Sequence, residues 1–217
     1  MKPILFNTEM VRAILDGRKT TTRRIVKPQP IDGRMTAAGF LKAIPEHMDW
    51  GGEVVKLPYQ PSDVLYVQET WKIDSLLRDK PGYPMAIDFK ALQSGYSQAE
   101  IMCSFTPERF QKFQKFYQKP GWQSPYFMPK EAARIFLRVT DVKAEQLRNI
   151  DKYWSNYDKE GMRDPKTENI SIAMQEKFIS IWDSTIKKSD LDKYGWDANP
   201  WVWVYEFERC EKPKEEG

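Results

Sequence analysis

Residues 17–24 read G-R-K-T-T-T-R-R. Upstream of this octet, Asn7 or Thr8 suits a helix N-cap, and Val11, Ile14 and Leu15 recur at helical spacing. Gly17 suits the stop of that helix. Within the octet and just after it, Thr20, Thr22 and Arg24 alternate with Lys19, Thr21 and Arg23 and run into Ile25-Val26. Threonine and β-branched enrichment predicts an extended segment, which Pro28 and Pro30 end. A helix halted by glycine and followed at once by a basic strand sets the pattern for the rest.

Residues 31–62 hold glycines and prolines with little periodicity and read as a long loop or insertion. Asp63 to Trp71 reads as one strand with Leu65, Val67 and Glu69 on one face. Residues 73–104 read as irregular. Pro107 to Lys119 reads as a helix, with Phe110, Phe113 and Phe116/Tyr117 on one side and Lys112, Lys115 and Lys119 on another; the interleaving suits a nucleic-acid face, but a packed phenylalanine face with a solvated lysine face explains the same pattern and is the reading preferred. Ala133 to Val142 is a second strand, with Ile135, Leu137 and Val139 inward. Asp151 to Lys159 reads as a short helix stopped by Gly161. Ile170 to Ile186 reads as a longer one, with Met174, Phe178, Ile181, Trp182 and Thr185 in register. Trp201 to Glu208 (W-V-W-V-Y-E-F-E) is the last strand, its aromatics read as core, and residues 212–217 are a charged tail expected to fray. Strands scattered among helices without a βαβ rhythm predict an α+β fold: a small, mostly antiparallel β-barrel with peripheral helices.

Composition removes several chemistries. The chain of 217 residues has a net charge of +3, so any nucleic-acid affinity must come from local patches. No run of residues is long and apolar enough for a membrane span, and Met1 to Asn7 is too short an apolar stretch for a secretory signal, so a cytoplasmic location is expected. Its two cysteines, Cys103 and Cys210, are far apart and expected to be reduced thiols. With one histidine, His47, and no CxxC, no zinc site is expected. No G-x-S-x-G elbow accompanies His47. If the protein is an enzyme, lysine and carboxylate groups must move the protons.

The octet supplies such groups. From Gly17 to Ile31 there are five basic residues (Arg18, Lys19, Arg23, Arg24, Lys27) and no acid. Crowded cations favour the neutral form of a lysine and make it a usable base. A nearby threonine hydroxyl is a nucleophile that needs such a base. The same donors suit a phosphate or a nucleobase carbonyl. The ordinary alternative is a solvated basic turn and edge strand. No glycine directly precedes Lys19, which excludes a P-loop.

The helix followed by G-R-K-T-x-T-x-R resembles the start of an ASCH domain, a member of the PUA-like superfamily of small β-barrels. The likeness extends to the longer, prophage-type members. It covers K-P-I-L-F-N-T-E-M-V-R-A-I-L at residues 2–15, Glu69-Thr70-Trp71, the run from Trp122 to Ile135 (W-x-S-P-x-x-M-P, then A-x-R-I), Glu160-Gly161 and the aromatic strand from Trp201 to Phe207. One departure is Pro61-Ser62-Asp63, where the family has glycine before the aspartate; it concerns a turn. The resemblance implies a single ASCH/PUA-like domain over residues 1–217, with insertions at about 31–62 and 73–127.

For function the resemblance implies hydrolysis of the acetyl amide of 4-acetylcytidine or a similar modified nucleobase, without a cofactor. Lys19, Thr22 and Glu160 take the positions of the family's catalytic lysine, threonine and glutamate. Other relatives are described as RNA-binding modules or ribonucleases. A non-catalytic RNA- or DNA-binding module and a metal-independent ribonuclease are therefore the other expectations, and fold alone does not choose. The partner is accordingly a modified nucleoside or RNA, with single-stranded nucleic acid an alternative.

Arg24 shares a strand face with Thr22 and, with Arg23, is a candidate substrate contact. Glu69 points inward and needs a partner, which Arg134 or the octet can supply; Glu69 and Arg134 are candidate substrate-binding residues, against the reading of a structural ion pair. Trp122, with Tyr126 and Phe127, is a candidate stacking wall for a base, against a plain role as a loop anchor. Lys19 and Thr22 are expected outside the apolar core, so that substituting them costs only about 0.5–1 kcal/mol.

Overall fold

The computed structural model describes residues 1–27, 29, 47–49, 54–77, 81–92, 101–119, 121–164 and 170–213. Pro28, Pro30, much of the expected 31–62 insertion and residues 214–217 of the expected tail lie outside the described residues. The elements in chain order are β1 (Lys2–Leu5), α1 (Thr8–Leu15), β2 (Thr21–Ile25), β3 (His47–Asp49), β4 (Val54–Lys56), β5 (Val64–Gln68), β6 (Trp71–Leu76), β7 (Met85–Phe89), β8 (Ile101–Cys103), α2 (Pro107–Gln114), β9 (Phe136–Gln146), α3 (Ser155–Lys159), α4 (Ile170–Ser184), α5 (Leu191–Tyr194) and β10 (Trp201–Cys210). The fold is mixed α+β. No helix among the described residues is long and apolar enough to cross a membrane.

The chain divides into two compact units. The first takes Met1–Asp16, Val64–Leu137 and Arg209–Gly217. Its entry helix is the one the sequence predicts. Asn7 caps α1, its Oδ1 accepting from the Met10 amide at 2.9 Å, and Met10, Val11, Ala13 and Ile14 face inward. Ahead of it, β1 pairs in parallel with β5, Ile4 opposite Val67. The sequence reading missed β1, a four-residue strand that carries a proline. A separate antiparallel sheet is built from β6, β7 and β8. Trp71, Phe89, Phe105, Phe113 and Met128 are buried in its core, and the Trp71 ring meets Phe113 and Phe116 edge-on or tilted.

This unit corrects two expectations. The described part of residues 73–104 is not irregular: it carries β7, β8 and most of β6, where Met85-Ala-Ile-Asp-Phe89 alternates too little to show a period because both faces are covered. Asp63 to Trp71 is also not one strand. The ladder breaks at Glu69-Thr70, where Glu69 turns to an arginine and Thr70 accepts from the Lys90 amide at 3.0 Å. A barrel needs an unbroken ladder. With β5 and β6 in different sheets, the described strands do not close into the expected barrel.

The second unit takes Gly17–Asp63 and Arg138–Glu208. Its central feature is the antiparallel pair of β2 and β10, in which Thr22 faces Tyr205 and Arg24 faces Trp203. Gln29 clamps the end of this pair, bonding Val26 and both backbone groups of Trp201. Within the expected insertion, β3 and β4 pair as a short antiparallel ribbon. Met174, Phe178 and Trp182 of α4 are buried as expected, with Tyr157 of α3 edge-on to Phe178, whereas Thr185 is exposed beyond the helix end.

Ser62 has φ of +75°, in the left-handed region. It occupies the turn where the ASCH pattern has glycine. Its amide donates to Val139 O at 2.8 Å, and the Gln60 amide donates to Asp63 Oδ2 at 2.8 Å, so the turn is held whatever the residue. A side chain pays about 1 kcal/mol or more for that φ, while glycine adds some unfolded-state entropy. Ser62→Gly is therefore expected to stabilise the protein by about 0.5–1 kcal/mol, read as a higher urea midpoint at unchanged m-value; an unchanged or lower midpoint contradicts it.

Candidate functional site

In the second unit, Lys19 and Glu160 form an isolated antiparallel bridge, and the Thr20 amide donates to Lys159 O at 2.8 Å. Lys19 Nζ donates to Glu160 Oε2 at 2.7 Å and to the Glu160 backbone O at 3.0 Å. Arg23 Nη1 donates to the other carboxylate oxygen, Oε1, at 2.7 Å. The second guanidinium nitrogen, Nη2, donates to Glu145 Oε1 at 2.8 Å, and Lys143 lies 3.5 Å from Glu145 Oε2. Lys19, Arg23 and Glu160 are all buried. Two cations thus share one buried carboxylate, and Glu145 balances the second cation from the partly exposed end.

Local backbone chemistry puts Glu160 there. It is the C-cap of α3, and Gly161 follows with φ of +80°. The Gly161 amide donates to Asp158 O at 2.8 Å and the Met162 amide to Tyr157 O at 3.0 Å, the paired bonds of a Schellman stop. Met162 and Tyr157 are both buried, which supplies the apolar contact of that motif. Arg18 closes the turn from outside, donating to Gly161 O at 3.2 Å and Arg163 O at 3.0 Å. The glycine read as a helix stop is therefore also what aims the glutamate.

The two partners respond differently to burial. Burial pushes Lys19 down, the charge and hydrogen bond of Glu160 oppose it, and Arg24 and Arg23 push it down further, so that it lies below its ordinary value. For Glu160, burial works upward, but the charges and hydrogen bonds of Lys19 and Arg23 override it and hold the carboxyl below its ordinary value. The stable arrangement is an ionised Glu160 anchored by Arg23, beside a lysine that gives up its proton more easily than a surface lysine does.

Strand register separates the other octet residues. Thr22 and Arg24 share a face with Tyr205 and Trp203, while Thr21 and Arg23 share the opposite one. Thr22 is buried, and no hydrogen bond joins it to Lys19 or Glu160 among the described residues. Arg24 is half-buried. Tyr59 packs edge-on against Tyr205 with ring centroids 5.1 Å apart. Burial raises the Tyr205 phenol, the Tyr59 side chain adds to this, and the Tyr59 backbone and Arg24 oppose it. Among the described residues, the buried Thr21 Oγ1 and Arg23 Nε on β2 and Asp158 Oδ1 on α3 have no hydrogen-bond partner.

The remaining expected residues lie in the first unit. Glu69 and Arg134 form a bidentate pair, Nε to Oε1 at 2.8 Å and Nη2 to Oε2 at 2.9 Å. The Arg134 guanidinium lies 4.7 Å over the Phe89 ring. Burial raises the Glu69 carboxyl above its ordinary value, and Arg134 only partly offsets this. Of the two partners expected for Glu69, Arg134 is the one bonded to it. Trp122 carries Lys72 Nζ 5.3 Å over its ring.

Comparison with protein-family models, with curated proteins and with solved structures found no match. The case therefore rests on the residues themselves. The structure brings Lys19, Arg23 and Glu160 together and leaves Thr22 on the neighbouring strand face. The octet is not a solvated turn, and Lys19 and Thr22 are not outside the core: both are buried. The small cost expected for substituting Lys19 is corrected accordingly. The sequence reading missed Glu145 and Tyr205. Glu145 lies in a stretch that reads as polar strand end, and Tyr205 is hidden in an aromatic run read as core; neither carried a signal of its own.

Removing the shared charge leaves two buried cations facing a neutral group. Glu160→Gln is expected to destabilise by about 3 kcal/mol. Because the folded-state pKa of Glu160 is depressed, its contribution is complete above the ordinary carboxylate range and is lost as pH falls through the folded value. Urea midpoints compared at neutral pH and about pH 3 should fall less in Glu160→Gln than in the wild type. An equal fall in both proteins would place the acid sensitivity elsewhere.

Proposed function

We propose that the protein is an amidohydrolase that removes the acetyl group from an acetylated cytidine nucleoside or a similar modified base. One observation carries this reading: a buried lysine, its pKa driven below the ordinary value, sits 2.7 Å from an ionised carboxylate. Such a lysine gives up its proton more easily than an exposed one, as a general base must between turnovers. The substrate class comes from the resemblance of the Gly17–Arg24 octet to the ASCH motif.

In this mechanism Thr22 Oγ1 attacks the acetyl carbonyl carbon, and its proton passes to Lys19 Nζ. Collapse of the tetrahedral intermediate breaks the bond from the carbonyl carbon to the cytidine exocyclic nitrogen. Lys19 returns the proton to that departing amine, and cytidine leaves. Water then attacks the acetyl ester on Thr22, again giving its proton to Lys19; acetate departs, and the proton returns to Thr22 Oγ1. Glu160, fixed by Arg23, orients the Lys19 amine and stabilises the ammonium that forms twice in the cycle. Arg24, on the strand face of Thr22, holds the sugar or stabilises the oxyanion. The mechanism requires Thr22 and Lys19 to come within hydrogen-bond reach in the loaded site, a tightening common between free and loaded sites. No step needs Glu69, Arg134 or Trp122.

The test is turnover of 4-acetylcytidine to cytidine and acetate, followed by liquid chromatography. Thr22→Val keeps the buried shape and removes the nucleophile; Lys19→Gln removes the base. Each is expected to lower turnover by at least about a thousandfold, with Thr22→Val still folded by circular dichroism. Wild-type protein that hydrolyses no acetylated nucleoside would sink the reading, and full turnover by Thr22→Val would remove the threonine from it.

A further inference from the structure

A second surface, in the first unit, has its own chemistry. Residues 109–130 hold five basic residues, seven aromatic residues and no acid. Three of those aromatics stand out into solvent: Tyr126 is 71% exposed, Phe127 51% and Tyr117 48%. Exposed rings this close in sequence are uncommon on a surface with no partner. They are also joined in space. Tyr126 stands edge-on to Phe127 at 5.3 Å, and Phe127 packs on Phe116 at 5.9 Å. Lys119 Nζ and Lys115 Nζ lie 5.2 and 5.6 Å over that same Phe116 ring. Phe116 itself is buried, so it is a floor on which two cations and two exposed rings are mounted.

Beside this platform is a cavity of about 250 Å³ lined by Leu76, Gln111, Gln114, Lys115, Tyr117 and Gln118. Gln111 and Gln114 are three residues apart on α2, which sets their side chains on one face. A glutamine amide presents both a donor and an acceptor, which matches the edge of a nucleobase. Of the two acids that flank the segment, Glu131 is held by Arg109 through bonds of 2.8 and 2.6 Å, and Glu108 sits in the first turn of α2. The charges at the Phe116 platform itself are Lys115 and Lys119.

We propose that this face binds single-stranded nucleic acid. Tyr126, Phe127 and Tyr117 stack on successive bases, the glutamines of the cavity bond a base edge, and Lys115 and Lys119 meet the phosphates. Charge complementarity and exposed rings select this occupant over an apolar protein partner. An apolar protein surface would match the rings but not Lys115 and Lys119. Stacking needs bases that are free of pairing, so duplex is excluded by the same rings. The inference does not depend on the amidohydrolase reading, since it uses none of its residues.

The test is fluorescence anisotropy of the whole protein with labelled oligo-U and oligo-dT of about 12 nucleotides and with a duplex of equal length. Single strands are expected to bind, with the duplex at least tenfold weaker. Tyr126→Ala and Phe127→Ala lie at exposed positions where folding is little affected, and each should weaken single-strand binding by about five- to a hundredfold. Lys115→Gln with Lys119→Gln should flatten the salt slope by about 1.4, at roughly 0.7 per phosphate contact. Thr22→Val should bind as the wild type does, which keeps the two readings separable. Binding that the aromatic variants leave unchanged, duplex binding as tight as single-strand binding, or no binding at about 50 mM salt overturns the proposal.

Discussion

The carboxylate of Glu160 is the charge around which the second unit is arranged. A buried cation is tolerated only when paired and hydrogen-bonded. Both Lys19 and Arg23 meet that condition through Glu160, one on each oxygen. Glu145 then takes the other guanidinium nitrogen of Arg23. Without Glu160 the basic octet would have to turn to solvent, and β2 could not pack both of its faces against protein. The burial of Lys19, Thr21, Thr22 and Arg23 in one short stretch follows from that single compensation.

The buried Glu69–Arg134 pair and the buried Lys19–Arg23–Glu160 cluster differ in how their charges are met. Glu69 and Arg134 are matched fork to fork, one cation to one anion, with the guanidinium also lying on a phenylalanine ring. That geometry satisfies both groups and leaves little to react. In the other cluster two cations share Glu160, and Glu145 takes the second guanidinium nitrogen of Arg23. Arginine keeps its proton in a protein, and burial, more than the neighbouring arginines, holds the lysine below its ordinary value. The same burial that raises Glu69 is overridden at Glu160 because two cations face it instead of one.

Much of this was legible in the sequence, and the limits have physical causes. The α1 helix, its Asn7 cap, the Gly161 stop, and the inward positions of Leu65, Val67, Glu69, Ile135 and Leu137 follow from period and turn chemistry, which are local. That Lys19 meets Glu160 came from motif likeness, because 141 residues separate them and no local rule spans that distance. The β7 strand was missed because a strand buried on both faces loses its alternation. The break at Glu69-Thr70 was missed for a related reason. A strand reading sees β-branched and aromatic residues and has no means of seeing that a glutamate leaves the ladder to meet an arginine 65 residues away.

The unsatisfied atoms extend the argument. A buried polar atom without a partner costs on the order of 1–3 kcal/mol, so folds rarely gather several together. Thr21 Oγ1 and Arg23 Nε lie on β2 and Asp158 Oδ1 on α3, all in the second unit. The Glu69–Arg134 pair of the first unit is satisfied on both oxygens. In the second unit the unpaired atoms accompany a lysine held below its ordinary pKa, a combination that supports the proposed amidohydrolase chemistry.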